Sequence, residues 1–137
     1  MGRILAIDYG RKRVGIAVTD ELKMIANALT TIHPDELISF LKKYTSEENV
    51  DCIVVGEPKD MKYEVSEAEK YILPFLKKLM KELPDIKVVR MDERFTSKMA
   101  SQTVLDAGLK KKDRQNKALL DSISATLILQ SYLEMVE

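Results

Sequence analysis

The sequence predicts an α/β protein with a mixed five-stranded sheet and helices on both of its faces. Three short apolar runs follow one another near the start of the chain, which is typical of an antiparallel meander. Two later apolar runs alternate with stretches of helical periodicity, and such β-α-β segments form right-handed parallel connections. The length of 137 residues fits a single domain, 1–137, that can bury a sizeable core.

Each predicted strand is an apolar run that ends at a turn signal. The first two cover residues 3–8 and 13–19 and flank a tight turn that contains glycine, and a third covers 24–32. The run over 51–56 is short, apolar and rich in β-branched residues, as expected of a strand that is buried on both faces. Residues 86–91 form the last predicted strand.

The helices are predicted from apolar residues that recur every three or four positions. The first begins at 33–36, where a proline and two acids suit a first helical turn. The second covers 66–83 and contains Pro74, which predicts either a kink or a late helix start at that residue. Two more helices are predicted over 96–108 and 117–135.

The composition predicts a soluble cytoplasmic protein. The chain has no apolar run of membrane-spanning length, no signal peptide, and a single cysteine, Cys52, which we expect to be a buried apolar side chain. The 22 basic and 22 acidic residues give a formal net charge of zero, which removes the global argument for nucleic-acid binding. Basic clusters at 11–13 and 110–117 are either local nucleic-acid contacts or solvated loops.

Three carboxylates are candidates for one site. Asp8 ends the first predicted strand, Glu93 lies just past the last strand, and Asp121 lies on the last helix. Ala118 and Ala125 flank Asp121 on that helix, so this acid is either a ligand on a close-packed face or a solvent-facing residue. Carboxylate oxygens suit Mg²⁺ and Mn²⁺, and two such ions would support in-line phosphodiester cleavage. One Cys and one His exclude a Cys/His zinc site.

Several blocks of sequence occur in a characteristic order along the chain. They are Asp8-Tyr9-Gly10 followed by Lys12–Val18 and Asp20, then Val55–Pro58, Asp92–Ser97, and Asp121-Ser122-Ile123. Together they resemble the YqgF/RuvX family, whose members are also described as Holliday-junction-resolvase-like proteins or pre-16S rRNA nucleases. The resemblance spans nearly the whole chain.

The resemblance implies an RNase H-like fold and a metal-dependent nuclease that uses Mg²⁺ or Mn²⁺ in a two-metal mechanism. It assigns the catalytic and metal-binding acids to Asp8, Glu93 and Asp121. It also implies a role in trimming the precursor of the small-subunit ribosomal RNA. The expected partners are structured RNA and the ribosomal particle, with a DNA junction as the alternative, and the expected state is a monomer or a weak homodimer.

Other residues are expected to support this site. Gly10 and Gly15 allow tight backbone paths, and Thr96 and Ser97 supply hydroxyls beside the acids. Glu57 stands where the family commonly has leucine, and it is either a further metal ligand or a surface residue. The expected nucleic-acid contacts are Arg11, Arg13, Lys59, Arg94, Lys110, Lys111, Lys112, Arg114 and Lys117, although Arg94 could instead pair with Asp92 or Glu93.

Three other functions remain open from the sequence. DNA junction cleavage needs two sites related by two-fold symmetry and hence a dimer. An ATP-using enzyme of the actin-like superfamily also opens with a strand and Asp-x-Gly, but it needs two such domains. A catalytically idle RNA-binding assembly factor would not need the three acids.

Overall fold

The computed structural model describes residues 2–57, 69–92 and 117–136, and the side chains of the last helix from Ile123 onward. The strands are β1 (Arg3–Tyr9), β2 (Val14–Thr19), β3 (Ala26–Ile32), β4 (Val50–Glu57) and β5 (Lys87–Asp92). The helices are a short 3-10 turn (Pro34–Glu36), α1 (Leu37–Glu47), α2 (Glu69–Glu82) and α3 (Lys117–Val136). The strand predictions and the prediction of a long last helix are confirmed to within a few residues.

The strands form one sheet in the order β3-β2-β1-β4-β5. The pairs β1–β2 and β2–β3 are antiparallel, whereas β1–β4 and β4–β5 are parallel. The predicted mixed five-stranded sheet is therefore confirmed. Because β1, β4 and β5 are parallel, they all end at one edge of the sheet, which we call the carboxyl edge and which is marked by Tyr9, Glu57 and Asp92.

Helices cover both faces of the sheet because successive strand residues point to opposite sides. Leu5 and Ile7 of β1 belong to a core that includes buried residues of α1 and α2. Ile4 and Ala6 belong to a second core, which includes Leu129 and other buried residues of α3. A helical layer therefore covers an apolar core on each face of the sheet.

Local side-chain chemistry bears on two places in the helices, the turn before α1 and the proline inside α2. The backbone N–H of Asp35 donates to His33 Nδ1 over 3.1 Å, and the chain begins with the 3-10 turn before α1. Pro74 lies inside α2, so the alternative of a late helix start at this residue is wrong. Pro74 is exposed, where water is available to the backbone, while Ile72 and Leu79 anchor the opposite side of α2.

Cys52 is buried with a free thiol, as predicted. Burial raises the pKa of this thiol, and a hydrogen bond with Tyr132 partly offsets that effect. The contact joins β4 to the carboxyl-terminal part of α3. None of the helices in the described part of the chain is long and apolar enough to cross a membrane.

Candidate active site

Asp8 lies near the end of the central strand β1, at the carboxyl edge. It is half-buried, and strand alternation places it on the face of Ile4 and Ala6, the face that α3 covers. Its cross-strand partner on β2 is Gly15, which contributes no side chain beside the carboxylate. Since β1 pairs on both sides, its backbone holds Asp8 in a fixed position.

The turn between β1 and β2 is basic and sterically tight. A Cβ atom added at Gly10 would lie 2.5 Å from the carbonyl oxygen of Arg13, so the turn in this form accepts only glycine there. Arg11, Lys12 and Arg13 are exposed. Together with Gly10 they line a surface depression of about 480 Å³. This part of the edge therefore offers positive charge within a few residues of Asp8.

Two ring contacts fasten this turn to α2. The rings of Tyr9 and Phe75 stack with centroids 5.2 Å apart. The guanidinium carbon of Arg11 lies 4.6 Å from the ring centroid of Tyr71, within the range of a cation–π contact. Burial raises the pKa of the Tyr9 hydroxyl, and the nearby charge of Asp35 adds to that shift.

An ion pair lies at the same edge on the α2 face of the sheet. Arg90 Nη1 and Nη2 donate to the two carboxylate oxygens of Glu69 over 3.2 and 2.5 Å, and the Glu69 side chain is 7% exposed. Arg90 also donates to the carbonyl oxygens of Val55 over 3.3 Å and of Gly56 over 3.0 Å. Arg90 thus joins β5, the end of β4 and the start of α2.

Glu57 is on this second face as well. Its Oε2 lies 3.9 Å from Arg90 Nη1, and the neighbouring strand residue Tyr9 packs on the α2 side. Strand alternation therefore separates Glu57 from Asp8 across the sheet. Sequence reasoning did not predict the pair of Arg90 and Glu69, although an arginine in an otherwise apolar strand is a signal of a buried charge.

Comparison with known proteins identifies the family. The chain matches the family described as "RuvX: Holliday junction resolvase" over residues 2–135. It belongs to the RuvX family.

Relatives of this RuvX-family protein carry a second description. A Bacteroides fragilis protein named "Putative pre-16S rRNA nuclease" is 60% identical over 134 residues, which cover 98% of this chain and 97% of that protein. A Porphyromonas gingivalis protein of the same name is 54% identical, over 98% of this chain and 97% of its own length. The predicted family and the predicted nuclease class are confirmed.

Solved structures show the same fold at low sequence identity. RuvC of Thermus thermophilus, in a complex with Holliday junction substrate, superposes with a TM-score of 0.64 at 15% identity, over 98% of this chain and 96% of that one. The fowlpox virus resolvase, also in a complex with junction DNA, gives 0.52 at 16% identity, over 96% and 99%. These likenesses confirm the predicted RNase H-like fold.

The structure places only some of the residues that the RuvX resemblance assigns. Asp8, Gly10, Arg11, Arg13 and Gly15 are at the carboxyl edge. Asp121 and Lys117 lie in the first half of α3, and their side chains are outside the described part of the chain. The others outside the described residues are Lys59, Glu93, Arg94, Thr96, Ser97, Lys110, Lys111, Lys112 and Arg114.

The described side chains do not by themselves form a metal cluster. Among residues 2–57, 69–92 and 123–136, no three Asp, Glu, His or Cys side chains come together as a potential metal site. Of the three acids assigned to the site, Asp8 is the member whose side chain is described.

Proposed function

We propose that this RuvX-family chain is a metal-dependent nuclease that matures the 5′ end of the 16S rRNA precursor. The observation that supports this most strongly is the 60% identity, over 98% of the chain, to a protein that carries the pre-16S rRNA nuclease name. Such a substrate would bring the chain to the ribosomal particle in the cytoplasm.

The proposed active site consists of Asp8, Glu93 and Asp121. Asp8 is held by the centre of the sheet on the α3 face. Glu93 directly follows Asp92, the last residue of β5, and consecutive Cα atoms are only about 3.8 Å apart. We propose that Glu93 acts together with Asp8 because β5, which ends one residue earlier in the sequence, ends at the carboxyl edge.

One contact of α3 and the lengths of α3 and β1 support a place for Asp121 near Asp8. Tyr132 bonds to Cys52, and Cys52 is the register partner of Ile4. From Ile4 to Asp8 the strand advances about 13 Å, at about 3.3 Å per residue. From Tyr132 back to Asp121 the helix covers about 16 Å, at about 1.5 Å per residue. We propose that α3 runs antiparallel to β1 from this contact, because the two lengths would then bring residue 121 to about the level of Asp8.

The donor chemistry of these three residues fits a hard divalent cation. All three supply carboxylate oxygens, which Mg²⁺ and Mn²⁺ prefer, and we propose that they hold two such ions. When bound, the ions lower the pKa of an attacking water and stabilise the leaving oxygen. Without positive charge nearby, clustered carboxylates would repel one another and resist ionisation.

The chain's own basic residues would bind and orient the nucleic acid. Arg11 and Arg13 are exposed in the turn that follows Asp8, where a guanidinium group can hold a phosphate through two parallel hydrogen bonds. We propose the same phosphate-binding role for Lys59, Arg94 and the basic cluster at 110–117. Such contacts position the strand without reading its sequence.

A second candidate function is cleavage of a four-way DNA junction. The family description names a Holliday junction resolvase, and that name favours this alternative. Resolution needs two symmetric cuts and therefore a dimer.

The test compares a precursor fragment of small-subunit rRNA with a four-way DNA junction. Each is incubated with Mg²⁺, with Mn²⁺ and with chelator, using wild type, Asp8→Asn and the control Asp85→Asn. Asp85 is exposed in the turn before β5, at the opposite edge of the sheet. We expect RNA cleavage that depends on the metal. Asp8→Asn should lower its rate by about a hundred- to a thousandfold, the size of such electrostatic losses, and Asp85→Asn should leave it unchanged.

Other outcomes separate the alternatives. Cleavage of the junction alone would assign the chain to recombination. Equal cleavage by wild type and Asp8→Asn would contradict the proposed site. Tight RNA binding with no cleavage by wild type, on the free RNA and on the ribosomal particle, would leave an assembly factor as the function.

A further inference from the structure

The contact between Arg11 and Tyr71 is exposed, and the site proposed above uses Arg11 but gives Tyr71 no role in binding. Tyr71 is 42% exposed, and Arg11 is exposed as well. Exposed cation–π pairs contribute little to folding stability. The contact does, however, lay a flat, positively charged group against an aromatic ring at the surface.

The stacked rings of Tyr9 and Phe75 hold this pair in place. Tyr71 and Phe75 are four residues apart and therefore share one side of α2. Phe75 is 8% exposed and stacks on Tyr9, and Arg11 follows Tyr9 by two residues. The two contacts therefore lie next to each other between the turn and α2. The Tyr9–Phe75 contact is the more buried one, and the Arg11–Tyr71 contact faces solvent.

The pair lies at the same edge of the sheet as the proposed reaction centre, on the α2 face that Tyr9 and Phe75 share. Arg11 is three residues beyond Asp8, so their Cα atoms are at most about 10 Å apart. The depression lined by Gly10 to Arg13 adjoins the pair. A nucleic-acid strand with one phosphate at Asp8 would reach the pair within a few nucleotides.

We infer that the Arg11–Tyr71 pair is a stacking platform for an unpaired base beside the scissile phosphodiester. Bases of single-stranded RNA stack on aromatic rings and on guanidinium planes, whereas the base faces of a duplex are hidden in its own stack. The platform therefore selects a substrate with a single-stranded segment at the cleavage site. This inference rests on the proposed nuclease function, since it defines which RNA that site accepts.

The first experiment measures binding without cleavage. A fluorescent single-stranded RNA with the sequence of the precursor's 5′ flank, and a blunt RNA duplex, are titrated in chelator by fluorescence anisotropy. The variants are Tyr71→Ala, Tyr71→Phe and the control Leu73→Ala, which removes another exposed apolar side chain of α2, 49% exposed.

We expect Tyr71→Ala to weaken binding of the single strand about tenfold, the size of one lost base–aromatic stack. Tyr71→Phe keeps the ring and should bind within about twofold of wild type, as should Leu73→Ala. Binding of the duplex should change in none of them. Arg11→Gln is a second variant. Because it also removes a proposed phosphate contact, it should weaken binding of both RNAs, and binding of the single strand more than binding of the duplex. Thermal melting verifies that each variant is folded.

The second experiment identifies the stacked base. Single abasic positions are moved along the RNA, and each is measured with wild type and with Tyr71→Ala. At one position, loss of the base should weaken binding to wild type but not to Tyr71→Ala, which is the non-additivity expected of a direct contact. The platform would be overturned if removing a base weakened binding to wild type and to Tyr71→Ala equally at every position. Unchanged binding of the intact RNA by Tyr71→Ala would also overturn it.

Failure of this inference can be told from failure of the proposed function. Cleavage of the precursor by wild type, with no Tyr71-dependent binding, would refute the platform and leave the nuclease intact. A Tyr71-dependent abasic signal with no cleavage would support the platform and refute the nuclease.

Discussion

The ion pair of Arg90 and Glu69 should be the most sensitive polar contact among the described residues. Glu69 is 5% exposed as a residue, and the Arg90 side chain is 23% exposed, so water replaces little of what a substitution removes. Removing one partner of a buried pair leaves the other charge without compensation. The perturbations are Glu69→Gln, Arg90→Met and the double variant Arg90→Met/Glu69→Leu.

The expected magnitudes follow from the interactions that each substitution removes. Glu69→Gln removes the nearer ionic partner but leaves Arg90 bonded to the carbonyls of Val55 and Gly56 and 3.9 Å from Glu57, so we expect a loss of about 3 kcal/mol, the low end for a broken buried pair. Arg90→Met also removes those two hydrogen bonds and strands a carboxylate, which predicts about 5 kcal/mol. The double variant replaces both charges of the pair with apolar groups but still loses the two hydrogen bonds to the carbonyls, so we expect a loss of about 2 kcal/mol, well below that of Arg90→Met alone.

Urea unfolding followed by circular dichroism measures these losses. With a slope of about 1.5 kcal/mol per M, Glu69→Gln should lower the midpoint by about 2 M. The matched control is Lys42→Met, which breaks the exposed pair of Lys42 and Glu82, 3.2 Å apart, and should cost less than about 1 kcal/mol. The reasoning is refuted if the double variant is as unstable as the sum of the single ones, or if Glu69→Gln costs no more than Lys42→Met.

Two further predictions concern turns. Gly10→Ala places a Cβ atom 2.5 Å from the Arg13 carbonyl oxygen, so the turn beside Asp8 must shift. We expect a stability loss of about 1–3 kcal/mol in thermal melting and at least a tenfold loss of the RNA cleavage rate. Full cleavage activity would contradict this prediction. The Asp20 carboxylate accepts the backbone N–H groups of Ile25 and Met24, and these bonds hold its pKa below the ordinary 3.8. A depressed pKa means that the stabilisation is present above the ordinary pKa and is lost as the pH falls through the lower, folded-state value. The melting temperature of Asp20→Asn should therefore lie below that of wild type at neutral pH and approach it well below pH 3.8; a constant difference would contradict this assignment.

The strands could be predicted because their signal is local. Each is a run of apolar or β-branched residues bounded by turn residues, and burial of both sheet faces makes those runs nearly continuous, as in residues 51–56 of β4. The turn at Gly10 was likewise visible as a glycine between two apolar runs. Helix α3 could be predicted from a long stretch without a breaker.

The interruption at Pro74 was a local signal that packing overrode. The residues Ile72, Phe75 and Leu79 bury one side of α2 against the sheet, and this burial outweighs the backbone bond that proline removes. Propensity at one residue is a weaker term than the apolar contacts of a whole helix face.

One part of the candidate site could be predicted from local sequence, and another part depends on the tertiary fold. Residue chemistry alone indicated that Asp8, at the end of an apolar strand, belongs to a reactive edge, because a charged residue there cannot be part of the core. The pairing of Arg90 with Glu69, and that of Arg11 with Tyr71, joins residues 21 and 60 positions apart in the chain, and no local pattern encodes such a distance.

The sequence was sufficient to identify the strands, the last helix and the family, since each of these depends on short-range pattern or on motif order, whereas the three assigned acids stay a prediction. The three-dimensional fold was needed to show that Glu57 and Asp8 lie on opposite faces of the sheet, and that α2 supplies partners for both the basic turn and β5. The physical reason is that strand register sets which face a side chain occupies, and register is established by pairing between segments that are far apart in the chain.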